Sequence, residues 1–119
     1  MPRLDYGVTI LKDIEHQEQV RFVTWLETNY PEHRVFAIPN GGKRGKVQAM
    51  KLKQEGVRPG VPDLFIPSLK LFIEMKKSEG GRVSKEQKSW LKYLSENNYN
   101  AVVANGFEQA KFLFLGVLP

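Results

Sequence analysis

Residues 60–77 read GVPDLFIPSLKLFIEMKK, from Gly60 to Lys77, and the pairing inside this stretch decides the fold. Two apolar runs, Val61 to Ile66 and Leu71 to Lys76, flank Pro67, Ser68, Leu69 and Lys70, a spacing that predicts an antiparallel hairpin. Symmetric pairing about Ser68 and Leu69 sets Ile66 opposite Leu71, Phe65 opposite Phe72, Leu64 opposite Ile73 and Asp63 opposite Glu74. Directly opposed strand residues hold their Cβ atoms about 5 Å apart, so the two carboxylates repel unless a cation or a shared proton relieves them. Strand alternation turns Glu74 and Lys76 to one face and Met75 to the other. The same residues on a solvated strand would be ordinary surface charge. The nearly continuous Phe, Ile and Leu runs instead predict strands buried on both faces, where unpaired charge is costly. A hard divalent cation held by carboxylate oxygens, magnesium or manganese, resolves that conflict, and its bound water suits attack on phosphorus with Lys76 alongside.

Outward from the hairpin, Ile14, Phe22, Trp25 and Leu26 fall on one face of a helix expected from Asp13 to about Tyr30, ended by Pro31. Arg34 to Ile38 reads as a strand, followed by the turn residues Pro39, Asn40, Gly41 and Gly42. Lys46 to Glu55 suits a short helix stopped by Gly56. After the hairpin, Ser84 and Gln87 form a capping-box signature for a helix carrying Trp90, Leu91 and Leu94 and ending near Asn97 or Asn98. Ala101 to Ala104 is a buried strand, Gly106 a break, and Phe107 to Leu115 a last helix. The expectation is an α/β domain over residues 1–119, a mixed central β-sheet flanked by helices with a right-handed crossover through the Ser84 helix.

Composition narrows the chemistry. With 119 residues, 41% hydrophobic and 26% charged, the chain has the balance of one globular domain. The absence of cysteine rules out disulfides, thiolate metal sites and cysteine nucleophiles. The apolar runs are far shorter than the roughly 20 residues that span a bilayer, and the N-terminus lacks a signal-peptide pattern, so a cytoplasmic, non-secreted protein with no membrane partner is expected. A net charge of +5 and a pI near 9.5 favour a polyanionic partner through counterion release, though many basic domains bind no nucleic acid.

Pro62-Asp63 followed by Glu74-Met75-Lys76 resembles the motif of the PD-(D/E)xK nuclease superfamily. Together with Glu15 to Gln19, FAIPNGGKRGK, EGVRPGVPDLF, LFIEMKK and SKEQ, it resembles a standalone VRR-NUC domain of the phage and bacterial type, over roughly Glu15 to Ala104. The resemblance implies a restriction-endonuclease-like fold and a magnesium- or manganese-dependent endonuclease. It further implies action on Holliday (four-way) junctions or related branched replication and repair intermediates, as a homodimer, in a bacterial or phage-infected host cell. It implies Asp63, Glu74 and the Met75 backbone carbonyl as metal ligands and Lys76 as the catalytic lysine. A sequence-specific restriction-type endonuclease and a non-catalytic DNA-binding scaffold are the competing readings.

The resemblance implies one further catalytic glutamate from the first helix, where Glu15 and Glu18 share the apolar face and periodicity does not choose between them. The E-x-x-x-Q spacing of Glu15 and Gln19 resembles the family pattern and favours Glu15, the alternative being two ordinary helix-surface acids. Gln87 has a structural reading as the partner of the Ser84 cap and a functional one as a contact to substrate or water. Lys43, Arg44, Lys46, Lys51 and Lys53, joined by Asn40, crowd the insertion before the hairpin and suit phosphate contact, with Arg58, Lys77 and Arg82 as additions. Their alternative is a solvated basic loop. His16 and His33 are assigned no role.

Overall fold

The computed structural model describes residues 14–39 and 45–119. The expected helix start at Asp13 and the insertion residues Asn40, Lys43 and Arg44 lie outside that range. Helix α1 (Ile14–Asn29) leads to a short strand β1 (Phe36–Ala37) and helix α2 (Lys46–Gln54). Strands β2 (Leu64–Ile66) and β3 (Leu71–Lys76) follow, then helix α3 (Lys85–Glu96), strand β4 (Asn100–Asn105) and helix α4 (Phe107–Val117). The four strands form one mixed sheet in the order β1-β2-β3-β4, antiparallel except for the parallel pair β3 and β4. A parallel neighbour cannot be reached by a tight turn, and α3 supplies the crossover.

The hairpin register is the one read from the sequence: Leu64 pairs with Ile73, Phe65 with Phe72 and Ile66 with Leu71. Its connection is a 3₁₀ turn, Pro67–Leu69, closed by Lys70 in the left-handed region at φ 49°. His33 Nδ1 and Ser68 Oγ, 2.7 Å apart, tie this turn to the segment after α1. One sheet face carries Leu64, Ile66, Leu71, Ile73 and Met75, all buried, against Phe22 and Leu26 of α1 and Phe107, Ala110 and Phe114 of α4. Phe22 and Leu26 stand four residues apart and so share one helical stripe; burying each such side chain stabilises the fold by about 1.5–3 kcal/mol. Trp25 extends the contact, its ring edge-on to Phe114 at 5.8 Å and to Phe107 at 6.4 Å.

Three expectations are corrected. Strand β1 spans only Phe36–Ala37 instead of Arg34–Ile38, because it lies at the sheet edge with both residues exposed and a single strand to pair with. Strand β2 begins at Leu64 rather than Val61: Pro62 has no N–H to give a ladder, and at Asp63 the side chain takes a cross-strand bond, its Oδ2 accepting from Met75 N at 2.8 Å. The central strands are also not buried on both faces throughout. Phe65 and Phe72, stacked with centroids 4.1 Å apart, remain half-exposed, and Phe36 is 53% exposed. No helix among the described residues is long and apolar enough to cross a membrane.

Candidate active site

The second face of β3 holds the charged residues. Glu74 and Lys76, two apart on a strand, project together, and both are buried, Glu74 to 2% exposure and Lys76 to 9%. Lys76 Nζ stands 3.6 Å from Glu74 Oε2. Beside them, Asp63 lies where β2 leaves the ladder, and its bond from the Met75 N–H holds the carboxylate against β3. The hairpin register therefore delivers both acids to one point.

Helix α3 completes the arrangement. Ser84 is its N-cap, with Oγ accepting from Gln87 N at 3.1 Å and the Ser84 N–H donating to Gln87 Oε1 at 2.8 Å. The other end of the same amide, Gln87 Nε2, donates to Glu74 Oε2 at 2.9 Å. The capping reading of Gln87 is realised, and the free end of its amide reaches Glu74, which sets the residue beside the acid pair. Glu74 Oε1 is buried and has no hydrogen-bond partner among the described residues. Two ionised carboxylates offer each other no donor, so a shared proton or a bound cation is what would satisfy the pair.

The electrostatics express the same deficit. Burial first, and the adjacent Asp63 second, push Glu74 from 4.5 to about 8 against the pull of Lys76, with Glu15 adding a further upward push. Burial also raises Asp63, opposed by its bond from Met75, by Glu74 and by Lys76. Among the described residues no three of His, Cys, Asp and Glu converge in a closed cage. The donors available are the Asp63 and Glu74 oxygens, a set that suits magnesium, which keeps several of its waters and takes one or two carboxylates.

The sequence matches the family model described as the VRR-NUC domain over residues 2–108. The chain belongs to the VRR-NUC domain family. A solved structure described as a "VRR_NUC domain protein" is 24% identical and superimposes with a TM-score of 0.74 over 88% of each chain, so it shares the fold. None of the curated proteins matches this chain. The mixed α/β architecture is consistent with a restriction-endonuclease-like fold, and VRR-NUC membership places the chain in a nuclease family.

Within this VRR-NUC domain the two helix-α1 glutamates part company. Glu18 Oε2 accepts from Phe107 N at 2.5 Å and so caps α4, whose own N-cap residue, Gly106, has no side chain to do it. Glu15 is exposed, yet near enough to Glu74 to raise its pKa. Sequence periodicity missed the capping role; Gly106 ahead of a helix was the available signal. Also missed was Gly81, where a Cβ would come 2.8 Å from Lys76 Cβ, so only glycine lets the loop after β3 lie against the lysine stem.

Lys46, Lys51 and Lys53 line α2, a helix that buries none of its residues. Arg58 closes that helix: its Nη1 donates to the carbonyls of Lys53 at 2.7 Å and Val57 at 3.3 Å. Lys77 and Arg82 are exposed in the segment after β3.

Proposed function

We propose that this protein is a magnesium- or manganese-dependent endodeoxyribonuclease that hydrolyses the backbone of branched DNA, four-way junctions among them. One observation carries the reading: a buried glutamate oxygen without a partner among the described residues, in an acid pair flanked by a buried lysine. Asp63, Glu74 and the Met75 carbonyl would hold the cation. When bound, it supplies charge to the phosphate and lowers the pKa of a coordinated water. Lys76 orients the attacking water and the scissile phosphate, Gln87 fixes the Glu74 carboxylate, and Glu15 closes the acidic end of the site. The exposed lysines of α2, with Lys77, Arg82, Lys43, Arg44 and Asn40, track the phosphates, which supports binding by shape more than by base sequence.

A four-way junction needs two symmetric incisions, so a homodimer with two sites is the expected assembly. The setting that fits is the cytoplasm of a bacterial or phage-infected host cell. The test is cleavage of labelled four-way junction, flap and plain duplex DNA with magnesium or manganese, wild type beside Glu74→Ala. Metal-dependent cutting of branched DNA that vanishes in the variant is the expected result. Tight binding with no cutting of any substrate would leave a DNA-binding scaffold, and cutting of one duplex sequence alone would leave a restriction-type enzyme.

A further inference from the structure

A groove of about 360 Å³ opens between the Arg58–Pro59 turn and the first two turns of α3, lined by Arg58, Pro59, Lys85, Glu86, Ser89 and Trp90. Its volume lies within the range of small-molecule clefts, about 300–1,000 Å³. Two features tie it to the acid pair. Gln87, one residue beyond the groove-lining Glu86, is hydrogen-bonded to Glu74, and the turn that forms the opposite wall runs through Gly60 directly to Asp63. At Gly60, φ is +90° and a Cβ would meet Glu86 and Gln87 backbone or Cβ atoms at 2.6–2.8 Å, so glycine seats this wall against α3.

The lining pairs an aromatic ring with an excess of positive charge. Trp90 is half-buried and is held edge-on by Tyr93 at 5.7 Å and 84°, leaving Tyr93 57% exposed at the surface beyond it. Arg58 and Lys85 contribute two cations against the single carboxylate of Glu86. Arg58 is anchored through Nη1 to the end of α2, which fixes its position at the groove. A wide planar ring beside two cations matches a nucleotide, an aromatic base carrying an anionic phosphate.

We infer that this groove is a stacking subsite for one unpaired nucleotide next to the scissile phosphate, with the base on Trp90 and its phosphate on Arg58 and Lys85. The inference rests on the nuclease reading of the acid pair. A base inside a duplex has both faces covered by its neighbours and cannot stack on a side chain, so the subsite selects DNA with a nucleotide out of the stack, as at a branch or a flap. Trp90 is then a specificity-determining residue for substrate shape.

The experiment is a titration without divalent cation, using the full chain and two probes of equal length: a blunt duplex and a duplex with a single-stranded flap. Emission from the two tryptophans is followed in wild type, Trp90→Phe and Trp90→Leu, with a thermal melt on each to check folding. Flap DNA should quench wild-type emission. In Trp90→Phe, where Trp25 in the aromatic core is the remaining emitter, that quenching should disappear. Flap affinity should fall by about 5- to 150-fold in Trp90→Leu, the loss of one base–aromatic stack, while duplex affinity holds. If the leucine variant does not fold, the quenching difference between wild type and the phenylalanine variant decides alone. Equal flap affinity in wild type and a folded Trp90→Leu, or equal quenching by flap and blunt duplex, would overturn the subsite. Because the readout needs no cleavage, a wild type that stacks flap DNA yet cuts nothing would retire the nuclease reading and keep the subsite. Metal-dependent cutting that ignores Trp90 would do the reverse.

Discussion

Replacing Glu74 by glutamine should make the metal-free protein more stable while destroying its activity. The unfolded chain releases the Glu74 proton near 4.5 and the folded chain near 8. Between those values the folded state holds more protons than the unfolded state, so the Glu74 contribution to stability is intact below about pH 4.5 and is lost as pH rises towards 8. At about 1.4 kcal/mol per pH unit of that span, the loss is on the order of 3 kcal/mol at pH 7 and on the order of 5 kcal/mol at pH 9. Glutamine has no charge to desolvate, its oxygen can accept from Gln87 Nε2, and its amide can donate to the Asp63 carboxylate. For a chain of 119 residues, each kcal/mol moves the melting temperature by about 4 °C, so Glu74→Gln should melt on the order of 10 °C above wild type at pH 7. The gap should widen at pH 9 and close at pH 4.5. Calorimetry in a chelating buffer reads this directly. Melting temperatures that coincide at pH 9, or a wild type whose stability is flat from pH 5 to 9, would refute the account of a strained buried acid. Magnesium should then stabilise wild type and leave the variant unmoved.

Asp63→Ala and Lys76→Ala should each abolish metal-dependent cleavage while far-ultraviolet dichroism stays native; cutting at the wild-type rate by either would remove that residue from the chemistry. Glu15→Ala and Glu18→Ala should separate. The first should lower cleavage with little effect on melting, and the second should cost about 1 kcal/mol of stability, the worth of a helix cap, measurable by urea unfolding. Gly81→Ala should depress cleavage by pushing the Lys76 stem aside, a close approach of 2.8 Å that the loop or the lysine must relieve. A Gly81→Ala protein as active as wild type would show that the Lys76 ammonium position does not depend on this contact.

The hairpin was legible because its rules are local: strand side chains alternate with period two, and a four-residue connection starting at Pro67 leaves few registers in which the apolar runs match. The capping box at Ser84 and Gln87 was legible for the same reason, both partners lying within one helical turn. Glu15 and Glu18 were not separable, because their difference is tertiary. The N–H that Glu18 accepts belongs to Phe107, far along the chain. The half-open second face escaped the sequence reading because Phe65 and Phe72 satisfy one another by stacking, so aromatic content there did not require a covering layer. Two neighbours of the acid pair, Gly60 and Gly81, carry no side chain from which a role could be read; their importance is that of an excluded atom.

The amide of Gln87 has consequences for what substitution can achieve. Its oxygen is committed to the Ser84 N–H, so its nitrogen has one orientation left, towards Glu74. A glutamate at this position would still satisfy the start of α3 and would set a third acid against the pair. The local and the long-range demands on residue 87 thus diverge by a single atom, nitrogen or oxygen. A screen that scores only the capping of α3 would accept both side chains; one that scores turnover would accept only glutamine. Comparing the two screens at residue 87 would separate selection for the helix from selection for the chemistry.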